Sequence, residues 1–173
     1  MNSWLGKSIL MVATLCLALS GMAWAAHDDH GCSNATLRGA YGFRVVGQGP
    51  DNSVTAVVGM AHYDGAGRFT QVDFAVTDGT PQPGEGDSTT GFHFRTGQTG
   101  TYTVNPDCTG SAEIHLVPPQ IPGGVIKTMF VLSNQGRAIH TVVAELIPPG
   151  DIMPLLITTY ADAWKLGSDS DPE

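Results

Sequence analysis

The chain has 173 residues, a formal net charge of −8 and a charged fraction of only 14%. Its few basic residues are scattered singly among twice as many acidic ones, which argues against nucleic acid and anionic membrane surfaces as partners. Abundant glycine, proline and threonine suit short strands and tight turns better than helices.

Residues 1–25 read as a signal peptide. Lys7 supplies a lone positive charge, residues 9–19 are apolar, and Ala23-Trp24-Ala25 puts small residues where signal peptidase needs them. The apolar run falls short of the roughly 20 residues a spanning helix requires. Leu15 stands directly before Cys16, so no lipid-attachment pattern forms. An uncleaved anchor is the competing reading, because the charge ahead of the apolar run is thin. Cleavage after Ala25 is the expectation, with export to the periplasm or the exterior and no membrane insertion afterwards. The mature chain of about 148 residues then suits one domain with a real core. Losing Lys7 takes its charge from −8 to −9.

Cys32 and Cys108 remain after cleavage. An oxidising compartment favours a disulfide between them, closing a loop of about 75 residues and stabilising the fold by roughly 4 kcal/mol. A metal site is the alternative, but two thiols without histidines at ligand spacing make a poor one. Neither a metal nor a cofactor is expected.

After a leader over residues 26–36, no segment holds a helical period for three turns. Alternating apolar runs instead end in Gly, Asn or Pro breaks roughly every 8–15 residues, the pattern of an all-β chain. Residues 37–47 form the first expected strand, with Tyr41, Phe43 and Val45 on one face. Residues 54–63 follow, and Asp64-Gly65-Ala66-Gly67 turns them tightly into residues 68–77. Residues 78–88 are too rich in Gly, Pro and Asp for a strand and read as a mobile loop. Residues 92–96 and 99–104 read as one bent strand broken at Gly97.

The run Asn105-Pro106-Asp107-Cys108-Thr109-Gly110 is dense in turn formers and leads into a strand over residues 111–117. A proline-rich loop precedes residues 125–133, which Asn134-Gln135-Gly136 turns into residues 137–145. Residues 155–164 make the last strand, ahead of a disordered acidic tail over 166–173.

The count comes to about eight antiparallel strands, nine if the bent one is split. An open sheet of that size would leave unpaired edges, so an up-and-down, calycin-like β-barrel over residues 37–165 is expected. Aligning the large apolar residues puts Tyr41, Phe43, Phe74, Phe92, Phe94, Ile114, Leu116, Phe130 and Leu132 inside. The six aromatic ones, Tyr41, Phe43, Phe74, Phe92, Phe94 and Phe130, are the expected ligand-lining residues. Eight strands enclose a space that side chains fill or that holds one small ligand.

Three stretches together resemble a group of small exported bacterial proteins of uncharacterised function. They are Cys32-Ser33-Asn34 with Leu37-x-Gly39-x-Tyr41-Gly42-Phe43, then Tyr63-Asp64-Gly65-x-Gly67-x-Phe69, and then residues 99–110, which hold Thr101-Tyr102-Thr103-Val104-Asn105-Pro106-Asp107-Cys108-Thr109-Gly110. The resemblance spans about residues 32–145 and implies an eight-stranded barrel similar to lipocalins and allene oxide cyclases, exported, with the two matched cysteines joined. It implies no catalytic residue. Gly39-Ala40-Tyr41 is similar to the Gly-x-Trp opening of lipocalins, with Tyr in place of Trp.

Candidate chemistry is sparse. His27, Asp28, Asp29 and His30 carry metal-ligand atoms but lie in a leader with no second ligand cluster. His93 with Arg95, and Glu113 with His115, could form an acid–base group if both pairs turned inward. The apolar residues alternating with them are better core, which puts all four on the solvent side. His62 and His140 read as structural. Asn34-Ala35-Thr36 matches a glycosylation acceptor, and Asp64 to Gly67 lacks the carboxylates of a calcium loop.

Three functions are compatible with these features. The first is a non-enzymatic exported barrel binding a small apolar molecule. The second is a cell-envelope structural or interaction protein, with an apolar outer patch buried in a homo-oligomer. The third is an isomerase- or cyclase-type enzyme, which requires Glu113, His93 or Arg95 in the barrel mouth.

Overall fold

A computed structural model describes residues 31–49, 51–82, 93–117, 123–150, 153–155 and 157–167. The expected signal peptide, Phe92 and the tail beyond residue 167 lie outside these. Among the described residues nine strands form: β1 (Arg38–Gln48), β2 (Val54–Asp64), β3 (Arg68–Thr77), β4 (Thr80–Pro81), β5 (Arg95–Val104), β6 (Thr109–His115), β7 (Val125–Ser133), β8 (Ala138–Ile147) and β9 (Thr158–Lys165). Consecutive strands pair antiparallel, β9 returns to β1, and β5 joins β3. The pairing of β2 with β3 completes an eight-stranded closed barrel, so its long strands have no open edge. The two-residue β4 lies outside that circuit, paired to Val76 and Thr77. It falls where the composition argued for loop alone, since a short extension needs only the Asp78-Gly79 turn to fold back on β3. Among the described residues no helix is long and apolar enough to cross a membrane.

Local chemistry explains the turns. Asp64 accepts hydrogen bonds from the backbone N–H groups of Ala66 (2.7 Å) and Arg68 (3.0 Å), while Gly65 and Gly67 take positive φ. The β2–β3 hairpin is thereby held in register, with Tyr63 opposite Phe69.

The segment before β1 closes one end of the barrel. Its short 3-10 turn, Asn34–Thr36, leads into the fully buried Leu37. The Cys32–Cys108 disulfide, with a Cα–Cα distance of 4.9 Å, fastens that segment to the β5–β6 turn. Cys32 also donates its N–H to the Pro106 carbonyl at 3.1 Å. Asn34 Oδ1 accepts from the Val104 N–H at 2.7 Å, and Tyr102 donates its hydroxyl toward the carbonyls of Leu37 (2.9 Å) and Asn34 (3.0 Å). The glycosylation-like triplet thus supplies an internal tether. Tyr41 donates to the Gly136 carbonyl at 2.6 Å, linking the floor to the β7–β8 turn. Tyr41, Tyr63, Phe69 and Tyr102 pack edge to face and tilted, with ring centroids 5.1–6.4 Å apart.

Candidate functional site

Above this floor the barrel is hollow. A cavity of about 550 Å³ runs between the strands, within the range of small-molecule sites. It stays open because the inward rings lie flat on the wall. Phe43 is directly opposite Gly59, Phe69 opposite Gly100, and Phe130 opposite Gly110. In each case a Cβ on the glycine would collide with the facing ring, so the ring occupies the space a side chain would fill. Ala61, Ala75, Ala112, Ala161 and Ala163 keep other parts of the wall thin.

Of the six expected lining residues, Phe43 and Phe130 line this cavity. Tyr41 is fully buried in the floor, and Phe92 lies outside the described residues. Phe74 and Phe94 are a correction: they pack on each other at 6.1 Å on the outer surface, with Phe94 half exposed. Phe74 stands opposite the exposed Val58, while its neighbours Asp73 and Ala75 are buried and line the interior. Phe94 turns outward because of a bulge. Between Gln71 opposite Gln98 and Asp73 opposite Arg95, two steps on β3 match three on β5, with Gly97 at positive φ. The extra residue reverses the alternation and brings Arg95 inside.

That bulge creates the feature that sequence reasoning missed. Arg95 Nε donates to Asp73 Oδ1 at 2.6 Å, with both side chains nearly buried. Beside them Gln71 donates its amide to Gln98 Oε1 at 2.7 Å. One wall of the lumen, made by β3 and β5, is therefore polar. The wall across from it, made by β7, β8 and β9, is mostly apolar: it carries Ile126, Phe130, Ile139 and Val143 together with Thr128, Thr141 and Thr159. Glycine inside an otherwise alternating run is the one sequence signal that could have exposed the reversal.

Tyr63 is the odd member of the tyrosine group. Its ring lines the cavity, and its hydroxyl has no hydrogen-bond partner among the described residues, unlike those of Tyr41 and Tyr102. No described side-chain N or O atom is both sealed from solvent and unpartnered, so the Tyr63 hydroxyl touches accessible space, and the space beside it is the lumen. Burial pushes its pKa well above the ordinary phenol value, with smaller contributions from Tyr41 and Tyr102. An unfolded chain ionises this phenol near pH 10 and the folded one later. Its contribution is thus intact below pH 10 and lost as pH rises beyond it. Urea denaturation should show stability flat in this phenol near pH 9 and falling by about 1.4 kcal/mol per pH unit between about pH 10.5 and 11.5. Tyr63→Phe should remove that share of the slope, and an unchanged slope would refute the assignment.

Glu113, His115 and His93 are exposed, so the acid–base group that needed them inside is not assembled, and Arg95 alone of the four enters the lumen. On the outer surface His140 lies between Ser133 (3.0 Å) and Asp162 (2.9 Å), and Arg44 reaches Asp162 at 3.5 Å. Serine, histidine and aspartate in this order also wire acyl-transfer enzymes. Here the chain runs across the convex face of β7, β8 and β9 with serine and histidine in solvent, where it ties neighbouring strands together. These bonds hold the Asp162 carboxyl below the usual carboxylate range, His140 contributing most. Among the described residues no three His, Cys, Asp or Glu side chains gather to hold a metal.

No protein-family model and no curated protein matches the chain. Solved structures do. The S-type phycobiliprotein lyase CPES from Guillardia theta aligns with a TM-score of 0.50 and 6% identity, over 82% of this chain and 97% of its own. At that identity the likeness is one of fold alone. A de novo designed transmembrane β-barrel aligns at a TM-score of 0.31 and 13% identity, over 73% of this chain and 94% of its own, and carries no argument.

Proposed function

We propose that the protein is an exported, non-enzymatic barrel that holds one small apolar or amphipathic molecule in its interior. The observation that carries this is the 550 Å³ lumen, kept open by rings folded onto glycines in a domain that could have packed it shut. The disulfide is consistent with an oxidising compartment, periplasmic or extracellular. The similar barrel is by name a lyase for phycobiliproteins. Its name supports ligand handling in such a lumen, and its reaction is not carried over.

A second reading, an interaction protein of the cell envelope, is favoured by the outer wall. Met129, Val142, Tyr160 and Val46 are neighbours across β7, β8, β9 and β1, and they are 52, 53, 55 and 37% exposed. Trp164, with Arg44 over its ring, continues the face, whose occupant in this reading is a second copy of the chain.

Native mass spectrometry of protein purified from its own host reads both. The expected spectrum shows a bound small molecule, and Ala161→Phe, which fills the lumen, should reduce the bound fraction at least about tenfold. Bare protein at dimer mass would instead transfer support to the second reading.

A further inference from the structure

We propose that the occupant of the lumen is an electrically neutral amphipathic molecule with a hydrogen-bond acceptor at its inner end, and that the Asp73–Arg95 pair excludes the corresponding carboxylates. This deepens the ligand-binding reading and rests on it.

The argument starts from charge. Among the described residues Asp73 and Arg95 are the charged side chains that face the cavity as a pair, 2.6 Å apart and nearly buried. Asp162 also contributes to the wall, but its carboxylate is engaged by His140 and Arg44 on the outer face. A ligand carboxylate entering the lumen would lie beside Asp73 or displace it from Arg95. Either way one buried charge loses its compensation, which is strongly unfavourable in a low-dielectric site. A neutral ester, ketone, lactone or alcohol leaves the pair intact.

The floor supplies the second half. Tyr63 presents a hydroxyl without a partner among the described residues, and it stays protonated and can donate. Tyr63 pairs with Phe69, and Asp73 is four residues further along β3, about 13 Å away. A molecule spanning that distance meets a donor at its inner end and the Gln71–Gln98 amides along one side. The facing wall is mostly apolar, with Thr128, Thr141 and Thr159 as its hydroxyl-bearing residues, so most of the rest of the molecule is hydrocarbon.

The experiment uses the disulfide-bonded protein at pH 7.5 with N-phenyl-1-naphthylamine, an uncharged dye, displaced by methyl dodecanoate or dodecanoic acid. The ester should bind at least about tenfold more tightly than the acid. Asp73→Asn removes the carboxylate beside Arg95 and should move the ratio at least about tenfold toward the acid. Tyr63→Phe should weaken the ester several-fold and leave dodecane unchanged. Should Asp73→Asn fail to fold, Asp73→Asn with Arg95→Gln removes both charges together and should retain the preference for the ester. An acid bound as tightly as the ester by the native protein, or a ratio that ignores Asp73→Asn, overturns the inference while leaving ligand binding in place. A lumen that takes up neither dye nor either lipid overturns both.

Discussion

Reducing the Cys32–Cys108 bond should lower stability by about 4 kcal/mol, moving the urea midpoint by about 2 M if the denaturant slope is near 2 kcal/mol per molar. The bond spans a sequence separation of 76 residues, so its removal restores considerable freedom to the unfolded chain. A second loss occurs in the native state. The segment held by Cys32 carries Asn34 and Leu37, whose carbonyls receive the Tyr102 hydroxyl and whose side chains seal the floor. Once unfastened, that segment is tied only by hydrogen bonds and the packing of Leu37, and the lower end of the lumen loosens. Urea titrations of oxidised and reduced protein, alongside a Cys32→Ser/Cys108→Ser variant, measure the effect. Midpoints agreeing within about 0.5 M would mean the staple contributes little.

The second large effect is expected at Gly110. A Val there should cost about 3 kcal/mol, the upper part of the range for overpacked cores. Its Cβ would meet the Phe130 ring on one side and the Thr103 carbonyl oxygen on the other. The ring has somewhere to go, into the lumen, but the backbone oxygen does not. Displacing Phe130 also narrows the cavity it lines, so dye uptake should fall together with the melting temperature. Combining Gly110→Val with Phe130→Leu should recover about half of the lost stability, because it relieves the ring and leaves the backbone contact. Thermal melts of the two variants and dye titrations check this. A Val accepted at a cost below about 0.5 kcal/mol would show that the ring does not rest on that glycine.

Much of the architecture follows from short-range patterns. Alternation and turn chemistry locate all eight barrel strands to within a few residues, since both arise from contacts between chain neighbours. The Asp64 turn and the Asn134-Gln135-Gly136 turn form hairpins as expected. The pairing of Cys32 with Cys108 was readable because only two thiols outlast the expected cleavage. Closure followed from the cost of leaving edges exposed, and the pairing of β2 with β3 provides it.

The interior was harder to read, and Phe74 and Phe94 show why. A period of two says which residues share a face and says nothing about which face turns inward. Assigning bulky apolar residues to the inside works for Phe43 and Phe130, whose rings find a glycine across the strand. It fails on β3, where Asp73 and Gln71 face the lumen while Phe74 covers the outer wall. It fails again before Gly97, where one extra residue on β5 inverts the alternation. Composition and alternation by themselves determined that this chain is built of antiparallel strands, where they turn, and which two cysteines join. Only the tertiary structure decided that the barrel is hollow, that one wall of it is polar, and that Asp73 and Arg95 neutralise each other there. Those properties depend on cross-strand register, which brings together residues whose separation in the chain carries no local signal.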